Sequence, residues 1–467
     1  RMRVSANLRA DWHVLHAKKQ HPMSETKESV DQSSESKSNL VANGIDSNGT
    51  SLIKLAVELA KTSVIVNGKS VVVGDMFGGG LGGSLDRLKR ANPVPKFDGA
   101  VRFDDSINVA TGEEHHDYYV MESYGERHFH GSCTGMIGKC FMEFDGKKVY
   151  AAMVKKGRID DPTDVYYQMS EEVVLAQWAK TGLDARTAGK AMHKAIEQFL
   201  NNAYDPDDPI WESEENRVPL NQFLRFWVND IVGKLVPVRT ELIMFSRFCE
   251  FAGQADFAYR RVEWLADYAK RHWIGVGDWK RSKEDFDQQI NEEEKKAREQ
   301  KRGRWKKEMG IGPCVSLENT ALNHYRLQMS LYATCLMRET DFEVRELHLG
   351  IFHPTHIEYL WFPVEPLYSI ADKMLVDRRQ HALANYSTNL IQQLNQVKYY
   401  ISVLASGPGE EANDAVEMLE TMTKAVDAAQ SLGGLVHEAT LFGASPEEIL
   451  GTHKRKRLEA LLPPSLN

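Results

Sequence analysis

Ile274-Gly-Val-Gly-Asp278-Trp279-Lys280 is the stretch on which the fold turns. It reads as a short apolar strand, and in a strand successive side chains point to opposite faces, so Asp278 and Lys280 emerge together while Trp279 points away. A second acidic strand precedes it, Gly253-Gln-Ala-Asp256-Phe-Ala-Tyr259. Two carboxylates on neighbouring strands, with a lysine beside one, make a divalent-cation site with an ammonium next to the reacting group. That combination suits phosphodiester cleavage, where a metal polarises the phosphoryl oxygen and lowers the pKa of the attacking water. Mg²⁺ takes one or two carboxylates and leaves its other positions to water and phosphate oxygens. The carbonyl of Trp279 is a further candidate ligand. Lys280 is the group expected to orient the water and offset charge.

The surrounding pattern places this strand in a mixed sheet. Strand-like runs are Thr240 to Phe245, Cys249 to Tyr259, Ile274 to Lys280 and Val344 to Phe352, with Ile357 to Phe362 following a His353-Pro354 turn. A helix is expected over Asn323 to Arg338, so strands, a helix and further strands give an α/β domain. Upstream, Tyr118 to Met121 and Lys148 to Met153 read as strands or edges, and Ser132-Cys-Thr134 opens a turn or helix. Ser170-Glu-Glu starts a helix with a polar cap and early acids. A second helix is expected over Thr187 to Asn201 and a third over Leu220 to Leu235. Residues 51–117 form a small extension with a helix (Leu52 to Ala60), a β-like pair and Gly78-Gly-Gly-Leu-Gly-Gly83. That cluster lacks the Gly-Lys-Ser/Thr ending of a phosphate-binding loop and reads as a flexible turn.

The chain has 467 residues, 42% of them hydrophobic, and a formal net charge of −8. Core material is ample, and the acidic balance excludes a generally basic nucleic-acid coat protein while leaving room for a locally positive cleft. No apolar run reaches membrane-spanning length. Five scattered cysteines without a CxxC pair argue against a zinc ribbon or a disulfide framework, and point to a reducing, intracellular compartment. Nucleus, mitochondrion and viral factory all remain open. Residues 1–50 are a polar tail of a composition that stays disordered. Its basic start reads as a solvated tail, with a transit-peptide remnant as the alternative. Residues 371–467 are expected to be helical, in segments broken at Gly407 and Gly433.

Two helical pieces extend the site. In Gly189-Lys-Ala-Met-His193-Lys-Ala-Ile-Glu197, His193 and Glu197 stand one turn apart on one face, and Gln328 and Tyr332 do the same after the Asp278 strand. Each piece alone also reads as ordinary surface or core. Taken in order, helix GxxxH, strand GxxD, strand DxK and helix QxxxY resemble the RecB-like branch of the PD-(D/E)XK nuclease superfamily. That branch includes the mitochondrial genome maintenance exonuclease and nucleases of large DNA viruses. The resemblance covers residues 118–370 and implies a restriction-endonuclease-like mixed central sheet flanked by helices, with a helical C-terminal extension. It further implies His193, Asp256 and Asp278 as metal ligands and Lys280 as the catalytic lysine. Gln328 and Tyr332 would lie beside the site, contacting Lys280 or the DNA backbone, and Glu241 would support it from outside the ligand set. Mg²⁺ is the implied cofactor, with Mn²⁺ admitted by the imidazole. No cysteine group follows Cys335, so no iron–sulfur cluster is expected.

The activity implied is a metal-dependent DNA exonuclease acting at ends or in single strands. A structure-specific endonuclease on the same core, and an inactive DNA-binding module, are its competitors. Residues 281–312 read as an insertion in which Lys301, Arg302, Arg304, Trp305, Lys306 and Lys307 combine cations with an aromatic. That composition suits a single-stranded path as well as a solvated arm. His115, His116, His128 and His130 invite a zinc reading but lack cysteine partners or HExxH spacing.

Overall fold

A computed structural model describes residues 51–106, 117–122, 125–129, 131–284, 286, 308–405 and 423. The expected tail over residues 1–50, the Lys301–Lys307 cations with Trp305, and the expected breaks at Gly407 and Gly433 lie outside the described residues. The chain opens with helix α1 (Leu52–Ala60), the hairpin β1 (Ser63–Val66) and β2 (Lys69–Val72), and the short helices α2 (Val73–Phe77) and α3 (Arg87–Ala91). Strands β3 (Val101–Asp104), β4 (Asp117–Glu122) and β5 (Gly125–Phe129) form a small antiparallel sheet. Then come β6 (Gly131–Ser132) and helices α4 (Cys133–Gly138), α5 (Gly146–Lys155), α6 (Glu171–Leu200) and α7 (Arg217–Phe226). The remainder alternates: β7 (Leu235–Ser246), β8 (Phe251–Arg261), β9 (Trp273–Lys280), α8 (Ala321–Glu339), β10 (Glu343–Ile351), β11 (Leu360–Pro363) and α9 (Tyr368–Ala405).

The fold is mixed α/β. Its main sheet runs β11-β10-β9-β8-β6, with β7 paired along β8. Strand β10 lies parallel to β9, β6 parallel to β8, and the other pairs are antiparallel. The parallel β9–β10 step requires a crossover, which α8 supplies. One feature of the sheet positions the site. Strand β8 pairs with β9 only over Phe257–Tyr259 and with β6 only at Phe251 and Ala252. Between those contacts the sheet forks, and Asp256 stands at the fork.

Apolar residues cover both faces of this sheet. On one, Leu242, Met244, Val276 and Leu349 pack with Leu327, Leu331 and Leu336 of α8 and with Met374 and Leu375 of α9. On the other, Phe257, Tyr259, Trp279 and Phe352 pack with Met192, Ile196 and Phe199 of α6 and with Phe223 and Phe226 of α7. Leu52, Ile53, Val73 and Phe77 of the N-terminal extension join that second core. No helix among the described residues is long and apolar enough to cross a membrane, and all five cysteines are free and buried.

Four expectations need correction. Lys148 to Met153 is helical, because the Asp145 carboxylate caps α5 by accepting from the Lys148 N–H at 3.0 Å. The two helices expected over Ser170–Asn201 are one of 30 residues, capped by Ser170. Gly182 alone does not break it, since a single interior glycine costs only about 1 kcal/mol. The helix expected to reach Leu235 leaves α-helical geometry after Phe226, widens by one turn over Trp227–Ile231, and is already β7 at Leu235.

The glycine cluster, finally, is a packed clasp around the end of α6 rather than a flexible turn. Gly79 N–H donates to the Phe199 carbonyl at 3.0 Å, Gly83 N–H to the Asn202 carbonyl at 2.7 Å, and Tyr204 Oη donates to the Gly79 carbonyl at 2.6 Å. A Cβ at Gly83 would fall 2.2 Å from the Asn201 carbonyl oxygen, so only glycine fits. Buried Asn201 completes the clasp, donating to Thr240 Oγ1 on β7 at 2.8 Å and accepting from the Leu88 N–H at 3.0 Å. The helix that carries His193 is thereby fixed to the sheet.

Candidate metal centre

The acids converge because of register. Phe257 faces Gly277 across β8–β9, and Thr240 and Leu242 face Phe257 and Ala255 across β7–β8. Asp256 and Asp278 each lie one residue past that last β8–β9 pair, and Glu241 lies between the paired Thr240 and Leu242. At the fork the ladder is replaced by a side chain: Asp256 Oδ2 accepts the Trp279 N–H at 2.7 Å. His193 on α6 reaches the same carboxylate, with Nδ1 3.6 Å from Asp256 Oδ2. Ligand atoms of His193, Glu241 and Asp256 all lie within 4.8 Å of one another.

Glu241 is thus closer than the supporting role expected of it. It adopts a left-handed backbone (φ 46°) in mid-strand, a conformation that costs a non-glycine residue about 1–3 kcal/mol and recurs at functional sites. Its carboxylate accepts a hydrogen bond from Gln254 Nε2. Glu197 pairs with Lys194 at 3.0 Å, and its charge also bears on Glu241.

Asp278 is fully buried, and neither of its oxygens receives an aligned hydrogen bond among the described residues. The Lys280 ammonium lies 2.5 Å from Oδ2. Trp279 points to the opposite face, against Phe223, Phe226 and Phe352.

Electrostatics follow from three acids crowded into one largely buried corner. Burial, then the neighbouring Asp256 charge, push Asp278 up to about 7 despite Lys280 and His193. Burial likewise raises Asp256, and burial with Asp256 and Glu197 raises Glu241 well above the usual carboxylate range. Burial alone would lower Lys280, but Asp278 and Asp256 outweigh it and keep the ammonium protonated. Burial and the Lys280 charge hold His193 down to about 4, so its imidazole is neutral at pH 7. Carboxyls reluctant to lose protons beside a neutral imidazole are the donor set a hard divalent cation stabilises. His193, Glu241 and Asp256 could hold a divalent metal ion.

A pH signature follows. A carboxyl held at about 7 keeps its proton below that value and must surrender it to a cation, so cation affinity rises as the pH passes through 7. His193, already neutral above about 4, does not oppose this trend. The rise in melting temperature produced by MnCl₂ should therefore be larger at pH 8 than at pH 5.5. An equal rise at both values would count against the acids as ligands.

The two α8 residues expected beside the site bond to each other. Gln328 Nε2 donates to Tyr332 Oη at 2.8 Å, and the Tyr332 ring packs on Gly253 beside Cys133. The aromatic over the ammonium is Tyr325, its ring centre 5.0 Å from Lys280 Nζ. Sequence reasoning missed it, although Tyr325 lies at i−3 and i−7 from Gln328 and Tyr332, and so on their face of the helix. Gly253 has a steric reason: a Cβ there would meet Tyr332 Cε1 at 2.6 Å. Gly253→Ala should cost about 1–3 kcal/mol by overpacking, read as a lower denaturation midpoint. Wild-type stability in that variant would show that the ring is free to move.

His128 pairs with Asp117, Nε2 lying 2.8 Å from Oδ1; His115, His116 and His130 lie outside the described residues. No family model and no curated protein sequence matches the chain. What the centre can do rests on its own residues.

Proposed function

We propose that the protein is a metal-dependent DNA exonuclease of the RecB-like PD-(D/E)XK type, with a restriction-endonuclease-like core. The observation that carries this reading is the cluster of His193, Glu241 and Asp256, whose ligand atoms lie within 4.8 Å of one another, beside buried Asp278 with the Lys280 ammonium 2.5 Å from its carboxylate. A purely structural ion pair would not need two further acids and an imidazole around it. Asp256, Asp278 and Glu241, with His193, would hold Mg²⁺ or Mn²⁺, which supplies polarisation of a phosphoryl oxygen and stabilises charge in the transition state. Lys280 keeps its proton, so it acts as a donor: it orients a water and offsets negative charge on phosphate. Asp256 holds the Trp279 backbone, and with it both ends of the Asp278–Lys280 pair. Tyr325 shields the ammonium from bulk water, which strengthens its interactions.

The test is digestion of end-labelled single- and double-stranded DNA, beside a circular single strand, with and without MgCl₂. Linear DNA should be degraded from an end only with the cation, and the circle should survive. A cut circle would replace the exonuclease by an endonuclease on the same core. No cleavage of any DNA would remove the nuclease reading.

A further inference from the structure

Beyond the acids, the C-terminal ends of β9 and β10 carry a second cluster: Arg281, Lys283, His353 and His356. The Phe352 N–H donates to the Lys280 carbonyl at 3.0 Å, which sets His353 beside Arg281. The turn that follows is held rigidly by buried Gln222 of α7. Its Oε1 accepts from the His353 N–H at 2.8 Å, and its Nε2 donates to the carbonyls of His353 (3.1 Å) and His356 (2.6 Å).

This turn fixes the chemistry its side chains present. Thr355 N–H donates to His353 Nδ1 at 3.2 Å, so that nitrogen is an acceptor and the ring proton sits on Nε2. His356 Nε2 lies 3.0 Å from the Ser282 carbonyl, which only accepts, so this nitrogen too carries a proton. The two rings are 5.9 Å apart. Arg281 donates one Nη2 bond to the Glu215 carbonyl at 2.8 Å, while its Nε is buried with no acceptor among the described residues. Lys283 is exposed. Burial and the charges of Arg281, His356 and Lys283 all bear on the His353 ring and hold it down to about 4. The acidic group acting on Arg281 is Glu215.

A guanidinium, an ammonium and an imidazole N–H around one turn form a donor-only array, which is what a phosphoryl group needs. Lys280 and Lys283 are separated along the chain by at most about 10 Å. A strand lying across the acids therefore reaches the cluster within a few nucleotides. We propose that Arg281, Lys283 and His353 form a phosphate-binding site that holds a phosphoryl group of the nucleic-acid strand beside the bond being cut. The source of that phosphate rests on the nuclease reading; the binding chemistry does not. A terminal monophosphate and an internal phosphodiester present the same oxygens, so the experiment separates them.

The full-length chain is titrated by fluorescence anisotropy, in CaCl₂, with labelled oligothymidylates ending in 5′-hydroxyl, 5′-phosphate or 3′-phosphate. Lys283→Glu and His353→Ala should each weaken binding by about tenfold, the scale of one charge-assisted contact. Lys283→Glu should lower the slope of log Kd against log salt by about one, and Lys283→Arg should restore both. Equal loss on every oligonucleotide assigns an internal phosphodiester; loss confined to one phosphorylated end assigns that terminus. Lys283 is exposed, so its variants keep the fold. Unchanged affinity and salt slope in both variants overturn the site. Binding is read without cleavage, so a wild type that binds through this cluster yet cuts nothing would remove the nuclease reading alone.

Discussion

Lys280→Met is expected to lower DNA hydrolysis by on the order of 10³-fold, the scale of removing a preorganised donor from a transition state. The reason lies in what surrounds the ammonium. Asp278 and Asp256 keep it charged although it is largely withdrawn from water, so it is a donor at neutral pH. Methionine keeps the unbranched shape and removes only the charge. The variant should still fold, because Asp278, already at about 7 beside the lysine, takes up a proton rather than remain a bare buried charge. Asp278→Asn should be equally inactive. Both variants should bind DNA in CaCl₂ with affinity close to that of the wild type. Steady-state cleavage within tenfold of wild type in either variant would sink the assignment of Lys280 and Asp278.

The second large effect concerns Glu241, which the sequence places outside the ligand set and the geometry brings within 4.8 Å of the ligand atoms of His193 and Asp256. Glu241→Gln keeps the size and the contact with Gln254 but removes the charge. The MnCl₂ concentration needed for half-maximal activity should rise by about 10–100-fold, as should the concentration giving half of the thermal stabilisation. The thermal readout is independent of catalysis. Gln254→Ala, which removes the group donating to Glu241, should produce a smaller shift in the same direction. If Glu241 were only structural, the Gln variant would lose stability without any change in cation dependence. The left-handed backbone at this position belongs to the same account, since strain in mid-strand persists only where neighbouring contacts hold it.

Much of the sheet was legible because strand periodicity is local. Asp278 and Lys280 share a face, and Trp279 takes the other, as alternation requires. Helix α8 was also legible, from the spacing of Leu327, Leu331 and Leu336. The misread pieces are those in which local signals conflict. Val149 and Met153 sit among β-prone neighbours, and the Asp145 cap outweighs them. The glycine cluster reads as loose because glycine is permissive, whereas its lack of Cβ atoms is what lets it close on α6.

The sequence by itself determined the mixed α/β class, the acidic strands and the lysine beside Asp278, because alternation and capping are written into neighbouring residues. Only the tertiary structure decided that β8 parts from β9 at Asp256, that Glu241 joins His193 there, and that Tyr325 rather than Gln328 covers Lys280. Those facts depend on register and helix placement between segments far apart in the chain. No local pattern encodes a distance across a fork in a sheet.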